Sequence, residues 1–117
     1  MAYFRCNTGD SLINITNSAS KDENFTLSSG SSKSISVSQK PKLVIWFSGN
    51  YGSSVSPGYG ESGVYDGQNN RYRRVTFYSG GANTGTNKGD MDSISSSTIV
   101  FKNNGSTYRR YHVMMWY

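Results

Sequence analysis

Apolar and polar positions alternate with a period of two through most of this chain, the pattern of half-buried β-strands. Lys33–Ser38 (KSISVS) is the cleanest case, with Ile35 and Val37 on one face and serines on the other. Arg71–Ser79 (RYRRVTFYS) alternates again: Arg73, Val75 and Phe77 share one face, and Tyr72, Arg74, Thr76 and Tyr78 the other. Leu43–Phe47 (LVIWF) is instead continuously apolar. That is expected of a central strand covered on both sides. Ala2–Cys6, Leu12–Thr16, Phe25–Leu27, Ser93–Phe101 and Thr107–Tyr117 bring the predicted set to about eight strands. No heptad or longer repeat appears. The echo of Tyr72-Arg73-Arg74 in Tyr108-Arg109-Arg110 is too short to mark a duplication.

The segments between these strands are rich in turn-forming residues. Asn7–Asp10, Asn17–Asn24 and Ser28–Ser32 read as turns or loops, and Pro41 separates the strand before it from the one after. Asn104-Gly105 is the strongest hairpin signal of the chain, and predicts that Ser93–Phe101 and Thr107–Tyr117 form a hairpin. The stretch Gly49–Asn70 (GNYGSSVSPGYGESGVYDGQNN) stands apart, with six glycines, four serines and three tyrosines. It reads as one long loop, and loops of that length inside compact domains are usually functional or disordered. Tyr, Ser, Gly and Asn are also the residues of adaptable binding loops. Gly80–Asp90 is a second loop of similar makeup, expected at the same end of the molecule.

Composition agrees with the pattern. Only 34% of the 117 residues are hydrophobic, while 14% are aromatic. Leu occurs three times, so helix formers are scarce. The expected fold is all-β: a small antiparallel β-sandwich of one domain over residues 1–117, with a thin core. A net charge of +5 permits attraction to phosphates or anionic surfaces, and equally fits ordinary solubility. Cys6 is the single cysteine, which excludes an internal disulfide and favours folding in a reducing compartment. The opening residues lack the basic and apolar regions of a signal peptide, and Leu43–Phe47 is far too short to span a bilayer. Cytoplasmic synthesis is expected, with association to a particle afterwards.

Candidate chemistry is thin. His112, the one histidine, lies among Tyr111, Val113 and Met114, where a structural role is expected; Cys6 reads as a small buried hydrophobe. Two Cys and His residues cannot make a metal cluster. Asp90-Met91-Asp92 is a D-x-D pair that Glu61 or Asp66 could approach, but solvated turn residues are the expected reading. The glycines lack a phosphate-binding order. No catalytic residue, cofactor or metal is expected. Candidate partner-binding residues are Tyr51, Tyr59 and Tyr65 of the long loop with Asn83 of the second. The alternative is a nucleic-acid face of Arg71, Tyr72, Arg73, Arg74, Arg109 and Arg110, in which rings interleave with guanidinium groups.

The opening Met1-Ala2-Tyr3-Phe4-Arg5-Cys6-Asn7-Thr8-Gly9 resembles the start of short tail-associated structural proteins of phages and prophages of gut bacteria. That resemblance implies a virion-associated β-module able to form oligomers, and assigns no functional residue. Joined to the loop reading, it suggests a non-enzymatic binding or structural module that recognises a neighbouring particle subunit or a host-surface glycan. Two alternatives stay open: an intracellular phage protein that binds nucleic acid or a nucleotide, with an anti-defence role, and a cytoplasmic lectin. A homo-oligomer is expected, without membrane insertion.

Overall fold

The computed structural model describes residues 3–5, 12–14, 19–49, 60–78, 81–86 and 88–117, and all of its regular structure is β. Two short strands, β1 (Tyr3–Arg5) and β2 (Leu12–Asn14), pair as an antiparallel ribbon. The remaining nine form two antiparallel sheets. They are β3 (Lys21–Leu27), β4 (Ser32–Ser36), β5 (Leu43–Gly49), β6 (Gly60–Asp66), β7 (Arg71–Tyr78), β8 (Gly81–Gly85), β9 (Met91–Ile94), β10 (Thr98–Lys102) and β11 (Arg109–Trp116). The large sheet has the order β3-β11-β5-β6-β7-β8, and the small one β4-β10-β9. Together they make a small β-sandwich, as the alternation predicts. Among the described residues no helix is long and apolar enough to cross a membrane.

The inner face of the large sheet is best followed in rows that run across its strands. One row reads Met115, Val44, Tyr65, Tyr72. The next reads Val113, Trp46, Gly63, Arg74, Gly85, and the third Phe25, Tyr111, Ser48, Glu61, Thr76, Asn83. Ile35, Val37, Met91, Ile99 and Phe101 from the small sheet and its flanks join the apolar part of these rows in a single core. Aromatic rings knit it: Phe25 stacks on Tyr111 at 5.1 Å between centroids, and Phe101 meets Trp46 edge-on at 5.9 Å. The central strand β5 carries residues buried on both faces, with Leu43 packed by Ile45, Val64 and Trp116 on the outer side.

Several sequence expectations change here. The stretch Gly49–Asn70 is not one loop, because β6 occupies Gly60–Asp66 within it. Its Gly, Ser and Glu positions hide the strand from a pattern search, yet Gly63 is required: a Cβ there would collide with the Trp46 indole. Four residues, 67–70, then turn β6 back into β7. Asp66 Oδ1 accepts from the Gln68 and Asn69 amides, and Asn70 takes a left-handed φ of 52°. The loop Gly80–Asp90 likewise contains the edge strand β8. β3 extends back to Lys21, its polar residues alternating along an edge rather than looping.

The Asn-Gly signal also misleads. β10 and β11 lie in different sheets, so Asn103–Ser106 is a crossover between layers and not a hairpin turn. Asn103 is fully buried and holds the crossover. Its Nδ2 donates to the carbonyls of Leu27 (3.0 Å) and Thr107 (2.8 Å), and its Oδ1 accepts from the Gly105 amide at 2.9 Å. The hairpin partner of β10 is β9, which turns through Ser95–Ser97.

Candidate functional site

Reading the second and third rows towards β8, apolar side chains give way to glycine and to charged and polar ones at β6. Glu61, Arg74 and Thr76 floor a cleft of about 560 Å³ there. Its walls come from Lys88, Gly89, Asp90, Met91 and Asp92 around the start of β9, and from Asn104 and Arg109 at the crossover. The volume lies within the range of small-ligand sites.

The buried side of this cleft is a closed polar network. Asp90 is 2% exposed. Its Oδ2 accepts from Arg109 Nη1 at 2.7 Å, Ser48 Oγ at 3.1 Å and the Tyr111 hydroxyl at 3.1 Å. Glu61 Oε1 accepts from Trp46 Nε1 and from the Asp90 amide, each at 2.9 Å. Burial pushes the Glu61 carboxyl above its ordinary value of 4.5, against the pull of those donors. Burial and the neighbouring Asp90 carboxylate likewise push the Tyr111 phenol strongly upward, so its hydroxyl stays a donor. Asp90 is therefore no solvated turn residue. It is the hub that ties β5, β11 and the start of β9 together.

Four planar side chains in and beside the cleft rest on glycines. Gly63 receives the Trp46 indole and Gly89 the Glu61 carboxylate. A Cβ at Gly85 would lie 3.0 Å from Cζ and Nη2 of Arg74, and one at Gly105 would lie 2.8 Å from Nη2 of Arg109. The guanidinium groups thus lie flat over bare backbone, and Arg74 Nη1 donates to Thr76 Oγ1. Gly89 has a second constraint, a φ of 56° that other residues adopt at a cost. Part of what reads in sequence as loop flexibility is packing geometry for charged planes.

The predicted site residues scatter. Tyr51 and Tyr59 lie outside the described residues, as does Cys6. Tyr65 is not a loop anchor: it is fully buried on β6, tilted against Tyr72 at 4.8 Å, with its hydroxyl donating to Asn70 Oδ1 at 3.2 Å. Period-two placement sets it on the inward row between Val44 and Tyr72, which buries it in the core. Asn83 is exposed on β8, in the same row as Thr76 and Glu61. The six nucleic-acid candidates divide between two faces. Tyr72, Arg74 and Arg109 point inward, while Arg71, Arg73 and Arg110 lie on the outer face, and β5 and β6 separate β11 from β7. Arg109 is also buried and bound to Asp90.

The cleft does unite the two glycine-rich stretches, since Glu61 comes from the first and Lys88–Asp90 from the second. Glu61, Thr76, Lys88, Asp92 and Asn104 were not singled out as binding residues by pattern. Two signals were legible: the alternation in β7 that puts Thr76 beside Arg74 on one face, and the Asp90-Met91-Asp92 pair that Glu61 could approach, as it does through the Asp90 amide. Comparison with family models, curated proteins and solved structures yields no match to this chain. His112 sits on the outer face, its Nε2 2.7 Å from Asp22 Oδ1. Among the described residues, no three His, Cys, Asp or Glu side chains gather as a metal site.

Proposed function

We propose that this chain is a non-enzymatic binding module of a phage or prophage particle, and that it holds a polyhydroxylated ligand, a glycan, in the cleft between β6–β7 and the start of β9. One observation carries the reading: the cleft is built from mixed donors and acceptors on a rigid floor, with its two most buried carboxylates already committed to internal partners. Glu61 and Asp90 each accept at least two hydrogen bonds from the fold itself. That commitment suits a scaffold better than an acid–base pair, which must exchange protons with a substrate. Arg74, Lys88, Asp92, Thr76 and Asn104 then offer donors and acceptors of both charges, which matches sugar hydroxyls, able to donate and accept at once. A polyanion would favour a cleft of one sign. The particle assignment rests on the opening MAYFRC resemblance and on the all-β architecture.

The test is a glycan array followed by calorimetry on any hit. Binding should vary little with salt and weaken about tenfold or more in Lys88→Ala and Asn104→Ala, each of which removes a direct contact. Binding to oligonucleotides that collapses steeply with salt and survives both substitutions would replace this reading with the nucleic-acid one.

A further inference from the structure

The edges of the two sheets are unequal. β3 ends the large sheet on one side and carries Lys21, Asp22 and Glu23; β4 carries Lys33 and β9 carries Asp92 at the edges of the small sheet. Charges of this kind discourage edge-to-edge pairing. β8, the remaining edge, reads Gly-Ala-Asn-Thr-Gly and has none. It also lacks proline and an irregular register with β7, and residues 81–84 are exposed throughout. Among the described residues no strand pairs with its far side. Its side chains are too small to block an approaching backbone.

We infer that β8 is a docking edge for a second copy of this chain, the two β8 strands pairing antiparallel about a two-fold axis at Asn83. The strand is self-complementary in that arrangement: Gly81 faces Gly85 and Ala82 faces Thr84, with no like charges opposed. An isologous contact of this type closes on itself and leaves only the charged β3 edges at the ends of the joined sheet, which discourage further pairing. It joins two six-stranded sheets into one and keeps both inner faces on the same side. The row Glu61, Thr76, Asn83 then continues into Asn83, Thr76, Glu61 of the copy. With strands spaced roughly 4.8 Å apart, the two β7 strands stand roughly 14 Å from one another. Two clefts at that separation suit a repeating polymer, whose second contact gains from effective concentration. This last consequence rests on the glycan reading; the pairing itself does not.

The experiment measures solution mass against concentration for the full chain and for Ala82→Lys/Thr84→Lys. Both substituted positions belong to the outer-facing rows of β8, away from the cleft, so binding of a monovalent cleft ligand should persist. The wild-type chain should dimerise reversibly, and the lysine pair should raise the dissociation constant about tenfold or more. A second readout covers the case in which lysines disturb the edge itself: Asn83→Cys in a Cys6→Ser background should cross-link between chains under mild oxidation, whereas Asn24→Cys on the β3 edge should not. A wild-type chain that stays monomeric, or a dimer indifferent to the lysines and uncross-linked through residue 83, overturns the inference. Loss of glycan binding with the dimer intact would count against the glycan reading alone.

Discussion

The two ends of the second and third inward rows behave oppositely, while the first, through Tyr65 and Tyr72, stays in the core. Over β11 and β5, their inward residues are Val113, Trp46 and Tyr111, met by Ile99, Phe101 and Met91 of the small sheet, with Ser48 as the one polar member. Over β6, β7 and β8 they are Gly, Glu, Arg, Thr and Asn, around a cleft. One backbone architecture and one alternation serve both. What differs is whether an apolar layer lies opposite. Where it does, burial stabilises the side chains by roughly 25 cal/mol for each Å² removed from water. At the cleft, stability comes from a polar network that must be fully satisfied, since an unpaired buried charge costs several kcal/mol. The lesson is that this sandwich closes only part of its inner face and holds the rest in shape with planar groups seated on glycine.

The contrast can be broken from either side. At the apolar end, Phe101→Ala removes a ring that touches Trp46, Phe25 and Tyr111. Denaturant unfolding should show a loss of about 3–5 kcal/mol, and with it any cleft function. At the polar end, Asp90→Ala leaves Arg109, whose side chain is 9% exposed, without its counter-charge. A loss of about 3 kcal/mol is expected, and the double change Asp90→Leu/Arg109→Met should recover most of it.

The glycine seats sharpen the comparison. Gly63→Ala drives a methyl into the rigid, fully buried Trp46 ring and should cost about 1–3 kcal/mol. Gly85→Ala meets the far end of a flexible arginine, so stability should change by less than about 0.5 kcal/mol. The displaced Arg74 should still weaken ligand binding measurably. If both substitutions cost the same stability, the distinction between core seat and cleft seat fails.

The smallest expected effect is on pH dependence. Burial raises the Glu61 carboxyl above 4.5, so the folded protein binds that proton more tightly than the unfolded chain. This contribution to stability is fully present below pH 4.5 and is lost as pH rises through the folded value. Glu61→Gln should flatten that component of the unfolding free energy measured at mildly acidic against neutral pH, while Oε1 still accepts from Trp46.

Much of the fold was legible. Ile35 and Val37 turn inward, Leu43–Phe47 is central, and Tyr72, Arg74 and Thr76 share a face, because period two is a local property of an extended chain. β6 was not legible: its glycines and serines look like loop, and only the Trp46 indole across the strand explains why Gly63 is there. The Asn-Gly at the crossover failed for a related reason. Asn103 bonds to Leu27 and Thr107 carbonyls, and one of these lies 76 positions away in the chain.

The candidate site followed the same division. By itself the sequence determined an all-β chain with alternating faces and two glycine-rich segments, the second of which only the structure shows to hold an edge strand. Tertiary structure alone decided that Tyr65 is core, that Asp90 is a buried hub rather than a solvated turn, and that β5 and β6 separate the arginines of β11 from those of β7. The physical reason is range. Side-chain direction along a strand is set by the residue's own backbone, whereas burial and charge pairing depend on which distant strand arrives opposite.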